Sequence, residues 1–222
     1  VLPPRDGDIL AVAQKVVSKA EGRYADLAEA KPSARAHQLA EATGKDPRLV
    51  ELVLRESRAV RRAAPNVLLV EHRLGFVHAN AGIDHSNLEP GAPSTQVLLL
   101  PEEPDRSAAQ LRESLEARFG CRLGVLINDS SGRAFRNGVS GIAIGCAGFA
   151  ALDDRVGDLD LAGRPLEVTE VAVADELAAA ASYLMGQGSE GQPAVLIRGA
   201  QLAAAEGGAA ALVRSPERDL FR

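Results

Sequence analysis

Two short apolar runs, DILAVAQ (8–14) and VLLVEH (67–72), most constrain how this chain can fold. Each is only a few residues long, carries β-branched side chains and is bounded by turn-forming residues, as buried strands are. Two segments with helical punctuation lie between them. SARAHQLAEATG offers Ser33 as N-cap and Gly44 beyond its end. DPRLVELVLRESRAVRRAA offers Asp46 as N-cap and Pro47 at the first helical position, and is expected to be helical throughout. Leu49, Val50, Val53, Leu54 and Val60 then lie mostly on one face, with Arg55, Glu56, Arg58, Arg61 and Arg62 on a solvated one.

The interleaving continues downstream. LGFVHANAG reads as a hairpin segment and VLLLP (97–101) as a strand. SAAQLRESLEARFG reads as a helix with a Ser107/Gln110 capping box and Gly120 past its last turn. CRLGVLIND is expected to be a buried strand ending abruptly in a polar turn, DSSGR. VSGIAIGCAGFA alternates small and apolar residues, VTEVAVADELAAAASYLMG is a long helix, and QPAVLIRG is a last strand. The pattern predicts an α+β chain with mixed sheets, flanking helices and two interwoven lobes. DDRVGDLDLAGR (153–164) has the acidic content of a calcium loop without its D-x-D-x-D-G spacing, and reads as a turn-rich connection.

Composition narrows the function. Aromatic residues are 3% of the chain and Trp is absent, leaving few stacking platforms for single-stranded nucleic acid. A net charge of −5 lacks the broad basic footprint of a nucleic-acid binder, while leaving room for local clusters that hold small anions. Cys121 and Cys146 make neither a disulfide framework nor a zinc pattern. LAAAASYLMG is too short to cross a bilayer, and VLPPRDGDIL lacks the features of a signal peptide, so a cytoplasmic location is expected.

The chemistry-bearing residues gather in turns. NAGIDHSN carries Asp84, and INDSSGRAFRNG carries Asp129 followed by Ser130. A hard divalent cation takes oxygen ligands, usually one or two protein carboxylates completed by water and substrate phosphates. Asp within a Gly/Ser turn also commonly forms an Asx-turn, which alone explains such a residue. Arg133 and Arg136 follow Asp129, while Lys15, Lys19 and Arg23 follow the first strand, giving an acidic protein local positive charge suited to phosphate. Neither a Walker sequence nor a G-x-G-x-x-G turn is present, nor G-x-S-x-G or H-E-x-x-H. Of the histidines, only His85 lies in a candidate turn. His37 falls on a helix, and His72 and His78 alternate along a hairpin.

QKVVSKAEGR, HANAGIDHSN, LLLPEEPDRSA, VLINDSSGRAFRNGVSGIAIGCAG, DLAGRPLEVTEVAVADELAAAA and LMGQGSEGQPAVLIRG occur in that order along most of the chain. Together they resemble consecutive blocks of the coenzyme F420-0:L-glutamate ligase family. The resemblance implies a GTP-dependent ligase that joins L-glutamate to the lactyl carboxylate of coenzyme F420-0, with further γ-linked glutamates in some members. It implies an intertwined α+β homodimer unlike the Rossmann and P-loop folds, Mn²⁺ or Mg²⁺ with two ions per site, and a supporting K⁺. By the same resemblance Asp84 and Asp129 are catalytic and, with Ser130, metal ligands, while Lys19, Asn87 and Gln14 are GTP contacts. Glu206, Gly207 and Gly208 make a looser match to a further GTP-binding segment, and Arg133 and Arg136 are candidates for phosphate or substrate carboxylate. On the residues alone, a metal-dependent nucleotide phosphohydrolase and a non-catalytic deazaflavin or nucleotide binder remain as alternatives. Residues 1–222 are expected to form one ligase unit. By the same resemblance, the family's N-terminal strand and loop is expected to be absent or trimmed here, and DLFR is expected to fall where some relatives continue into a flavin-binding reductase domain.

Overall fold

A computed structural model of the chain describes residues 3–88, 91–200 and 202–219, so the end of DLFR lies outside the described residues. In chain order the elements are β1 (Ile9–Ala13), α1 (Gln14–Ala20), β2 (Tyr24–Asp26), α2 (Ala34–Thr43), α3 (Pro47–Arg55), β3 (Ser57–Ala64), β4 (Val67–His72) and β5 (Val77–Ala79). There follow β6 (Gln96–Leu98), α4 (Pro104–Phe119), β7 (Gly124–Arg133), β8 (Arg136–Ala147), β9 (Asp153–Asp154), β10 (Glu170–Val171), α5 (Val173–Met185) and β11 (Ala194–Ile197). The expected α+β class holds, with several small sheets and flanking helices. The chain divides into two compact units, each assembled from separated segments: residues 1–13, 103–130 and 139–222, and residues 14–102 and 131–138.

The first unit contains a four-stranded sheet in the order β11-β1-β7-β8. β1 runs antiparallel to β11, with Ile9 opposite Ile197, and parallel to β7, with Ile9 opposite Gly124. Alanines 174, 178 and 181 of α5 join Ile9, Ala11, Leu126, Ala143 and Phe149 in one core. Small residues let the helix approach closely. A Cβ at Gly141 of β8 would lie 2.3 Å from the carbonyl oxygen of Ala178 and 2.6 Å from Asn128 Oδ1. At the start of β1, Asp8 is 2% exposed and accepts from Arg198 Nε at 2.9 Å and Nη2 at 2.7 Å. Cys146 is buried in β8 and Cys121 precedes β7; both are free thiols. Burial pushes the Cys146 thiol up to about 12.

The second unit contains the antiparallel sheet β3-β4-β5 and the antiparallel pair β2-β6. α2 and α3 bring Ala36, Ala40, Val50 and Val53 against Leu68 and Val70 of β4 and Val97 of β6. The expected caps are present. Ser33 Oγ accepts from Ala36 N, Gly44 is left-handed, and Asp46 accepts from Arg48 N beside Pro47.

Several boundaries differ from the sequence expectation. The helix beginning at Pro47 stops at Arg55, and residues 57–64 form β3. Arg58, Arg61 and Arg62 are therefore strand residues, and Arg61 pairs with the buried Glu71 of β4. Hydrogen bonding to β4 outweighs the helical preference of Arg and Ala. α4 begins at Pro104, without a side-chain cap; Ser107 instead donates its hydroxyl proton to the Glu103 carbonyl. β7 does not break at DSSGR but continues to Arg133, because β8 supplies its ladder partners; the turn is Ala134–Phe135, with Phe135 at φ 57°. Gln14 does not end the first strand but opens α1. The long helix placed over 168–186 starts only at Val173, after β10.

Candidate functional site

Asp84 reaches its position through backbone pairing. Its N–H donates to Leu98 O at 3.0 Å and its carbonyl accepts from Leu98 N at 2.9 Å, fixing the turn against β6. Leu98 is paired in turn with Tyr24 of β2, which follows α1. The turn beyond Asp84 is an Asx-turn: Oδ1 accepts from Ser86 N at 2.7 Å. The other oxygen, Oδ2, faces Lys15 Nζ of α1 at 2.6 Å, and Lys15 also donates to Ser86 Oγ at 2.7 Å. Burial raises the Asp84 pKa, but the Lys15 ammonium and the Ser86 N–H outweigh it and hold the carboxyl below its ordinary value. Asp84 is therefore an anchored, ionised carboxylate within a partly exposed turn.

Lys15, Asp84 and Ser86 thus form one cluster. No local sequence signal joins Lys15 to Ser86, which are 71 residues apart. Asn87 follows in the same turn, exposed and left-handed at φ 54°. Gln14 and Lys19 share α1 with Lys15. Gln14 is 4% exposed and its Oε1 accepts from Ser18 Oγ at 2.9 Å, whereas Lys19 lies half-buried in the last turn. Arg23 is held inside the second unit, donating to Leu100 O at 2.8 Å and to Glu56 Oε2 at 3.0 Å. Arg133 and Arg136 flank the β7–β8 turn and are exposed; Arg133 Nη2 donates to Asn137 O at 3.1 Å.

Asp129 and Ser130 belong to the first unit, half-buried on β7, with Asp129 Oδ1 accepting from Ser130 N at 2.8 Å. Their neighbour Asn128 is buried beside Ala178 and Met185 of α5, so alternation along the strand directs Asp129 to the opposite face. Glu206, Gly207 and Gly208 also belong to this unit, and Glu206 and Gly207 are exposed.

Asp84 in the second unit, and Asp129 with Ser130 in the first, each offer oxygen donors of the kind a hard divalent cation takes. Each Asp84 oxygen carries a second lone-pair direction beyond the one used by Lys15 or Ser86. Among the described residues no three His, Cys, Asp or Glu side chains gather into a cage. A cation held largely by substrate phosphates does not require one. Among the described residues no helix is long and apolar enough to cross a membrane.

Residues 2–199 match the family model of F420-0:Gamma-glutamyl ligase. The chain is 52% identical over 221 residues to the coenzyme F420:L-glutamate ligase of Methanopyrus kandleri, covering 98% of this chain and 86% of that protein. It is 49% identical over 219 residues to the enzyme of the same name from Methanothermobacter thermautotrophicus, covering 98% and 85%. The protein of that name from Archaeoglobus fulgidus is 48% identical over 217 residues, again covering 98% and 85%.

Proposed function

The chain belongs to the F420-0:gamma-glutamyl ligase family, and from that premise we propose that it forms an amide between L-glutamate and the lactyl carboxylate of coenzyme F420-0 at the expense of GTP. The observation that carries the reading is similarity over nearly the whole chain to ligases so named. The anchored Asp84 carboxylate, with Lys15 at 2.6 Å, supports it by joining an anion and a cation where a phosphate-bearing substrate needs both.

The reaction has two steps. A carboxylate is a poor electrophile, so an acceptor oxygen first bonds to the γ-phosphorus of GTP while the bridging P–O bond breaks and GDP leaves. The glutamate amine then attacks the acyl carbon, the C–O bond to phosphate breaks, and inorganic phosphate departs as the nitrogen loses a proton. A bound Mn²⁺ or Mg²⁺ supplies charge neutralisation at the phosphates. Asp84, Asp129 and Ser130 are the residues that would hold such ions, with K⁺ as a further requirement to test. Lys15 orients Asp84 and keeps it ionised. Lys19, with Arg133 and Arg136, offsets phosphate or substrate carboxylate charge; Gln14, Asn87 and Glu206–Gly208 contact the nucleotide. The active species is a homodimer.

The test is incubation with GTP, Mn²⁺, L-glutamate and F420-0, with product mass and phosphate release followed together. Glutamylated product with acceptor-dependent phosphate release is expected. Acceptor-independent release would make the protein a phosphohydrolase, and neither signal would make it a binder. Asp129→Asn should reduce turnover on the order of a hundredfold with the unfolding midpoint retained. Undiminished turnover refutes the metal role of Asp129.

A further inference from the structure

The residues that carry the chain into the Asp84 turn hold a backbone that side chains disfavour. Asn80, Ala81 and Gly82 are consecutive and all left-handed, at φ 51°, 54° and 69°. In this conformation Cβ crowds the carbonyl oxygen that follows, so it is visited by single residues, mostly Gly and Asn, rather than by runs. Asn commonly enters it by bonding locally through its side chain. Here Asn80 Oδ1 is buried without a hydrogen-bond partner among the described residues, so such bonding does not select the turn. Ala81 has no polar side chain with which to select it.

Packing and pairing hold the turn instead. Upstream, Ala79 is paired with Leu69 of β4; downstream, Asp84 is bridged to Leu98 of β6. The chain has only residues 80–83 in which to pass from one sheet to the other. Ala81 is fully buried in the core of the second unit. A Cβ at Gly82 would lie 2.8–2.9 Å from the side chain of Leu100, which is itself fully buried, so the turn closes only on glycine. Ile83 N donates to Asn80 O at 3.0 Å. A conformation this unfavourable to its own residues persists only where the surroundings over-determine it, and such sites gather where a functional group must be held in place. Asp84 stands two residues beyond this one.

We propose that Ala81 is a positioning residue for Asp84: its buried methyl group locks the left-handed turn, and the turn sets the direction in which the Asp84 carboxylate meets a divalent cation. This rests on the reading of Asp84 as a metal ligand given above. Ala81 touches neither metal nor substrate and acts through the backbone of 80–84.

Ala81→Gly tests it, because glycine accepts the left-handed conformation without penalty and accepts others equally. Ala81→Ser keeps a Cβ and is the conservative variant. Amide hydrogen exchange is read at Ser86, whose N–H donates to Asp84 Oδ1, in the absence of metal and substrates. It should be about tenfold faster in Ala81→Gly than in the unaltered chain, with Ala81→Ser near the unaltered rate. In the assay with GTP, L-glutamate and F420-0, the Mn²⁺ concentration giving half-maximal turnover should rise about tenfold in Ala81→Gly, the scale of a disturbed support to a metal ligand. The KM for L-glutamate should stay within about twofold. Unchanged exchange overturns the lock, as does an Ala81→Ser protein that behaves like Ala81→Gly. Faster exchange with an unchanged Mn²⁺ requirement overturns the connection to the metal. An Asp84→Asn protein with the Mn²⁺ requirement of the unaltered chain refutes the metal reading of Asp84 itself, a failure distinguished because it needs no change at Ala81.

Discussion

His72 gives a pH dependence that can be worked through from its surroundings. The ring is fully buried, stacks on Phe76 at 5.4 Å with planes 9° apart, and accepts from Leu74 N through Nδ1 at 3.1 Å. The proton of the neutral ring therefore sits on Nε2. Glu56 Oε2 is 3.8 Å from Nε2, but Glu56 is already shared by Arg23 and Arg73. Burial first, then the positive charge of Arg73, His78, Arg23 and Arg58, pushes the His72 pKa down to about 3. The unfolded chain binds this proton near its ordinary value of 6.5 and the folded chain does not, so the stabilisation is present above 6.5 and lost as pH falls toward 3. At 1.36 kcal/mol per unit, acidification from about pH 7 to about pH 5 should cost about 2 kcal/mol. His72→Gln keeps an acceptor for Leu74 N and does not titrate there. Urea unfolding of both proteins, followed at the amides of β3–β5, should show the wild-type chain losing about 2 kcal/mol more than the variant over that interval. Equal losses would mean that His72 is protonated in the folded chain without penalty, and would refute the argument.

Two further substitutions probe the first unit. Gly141→Ala places a methyl group against the Ala178 carbonyl and Asn128, and should lower stability by about 2 kcal/mol, or roughly 4–8 °C in thermal midpoint; no change would mean that α5 can move away without cost. Arg198 hydrogen bonding holds the Asp8 carboxyl below its ordinary value against the opposing effect of burial, so its stabilisation persists above 3.8 and is lost as pH falls through the lowered value. Asp8→Asn should therefore lower the neutral-pH midpoint by about 5 °C and flatten the acid limb of a midpoint-versus-pH curve. An unaltered acid limb would exclude Asp8 as its source.

How legible an element is in the sequence depends on where its determinants lie. Ser33 and Gly44 delimit α2, and Asp46 with Pro47 opens α3, because caps act within a few residues of the backbone they satisfy. β3 is different. SRAVRRAA suits a helix by composition, and it is a strand because β4 requires a partner and Glu71 a cation. The same applies to SSGR at the end of β7, where turn-like residues are drawn into the ladder by β8. In both segments the deciding partner is another strand, which residue periodicity does not register.

The candidate site divides along the same line. Asp84 stands out because Gly82-Ile83-Asp84 followed by Ser86 is the local chemistry of an Asx-turn, and the turn forms. Nothing local marks Lys15 as its partner, since Lys15 and Ser86 are 71 residues apart. The connection runs through strand register: Asp84 is bridged to Leu98, Leu98 to Tyr24, and the chain turns back from β2 into α1, which carries Lys15. A one-residue slip of β6 against β2 would transfer its side chains to the other face and remove the lysine's counter-charge. Val97, packed with Ala25 in the core of the second unit, opposes the slip that would bring Gln96 into its place and bury an amide there. The ionised state of Asp84, on which any role in binding a cation or phosphate depends, is thus secured by apolar packing that carries no charge of its own.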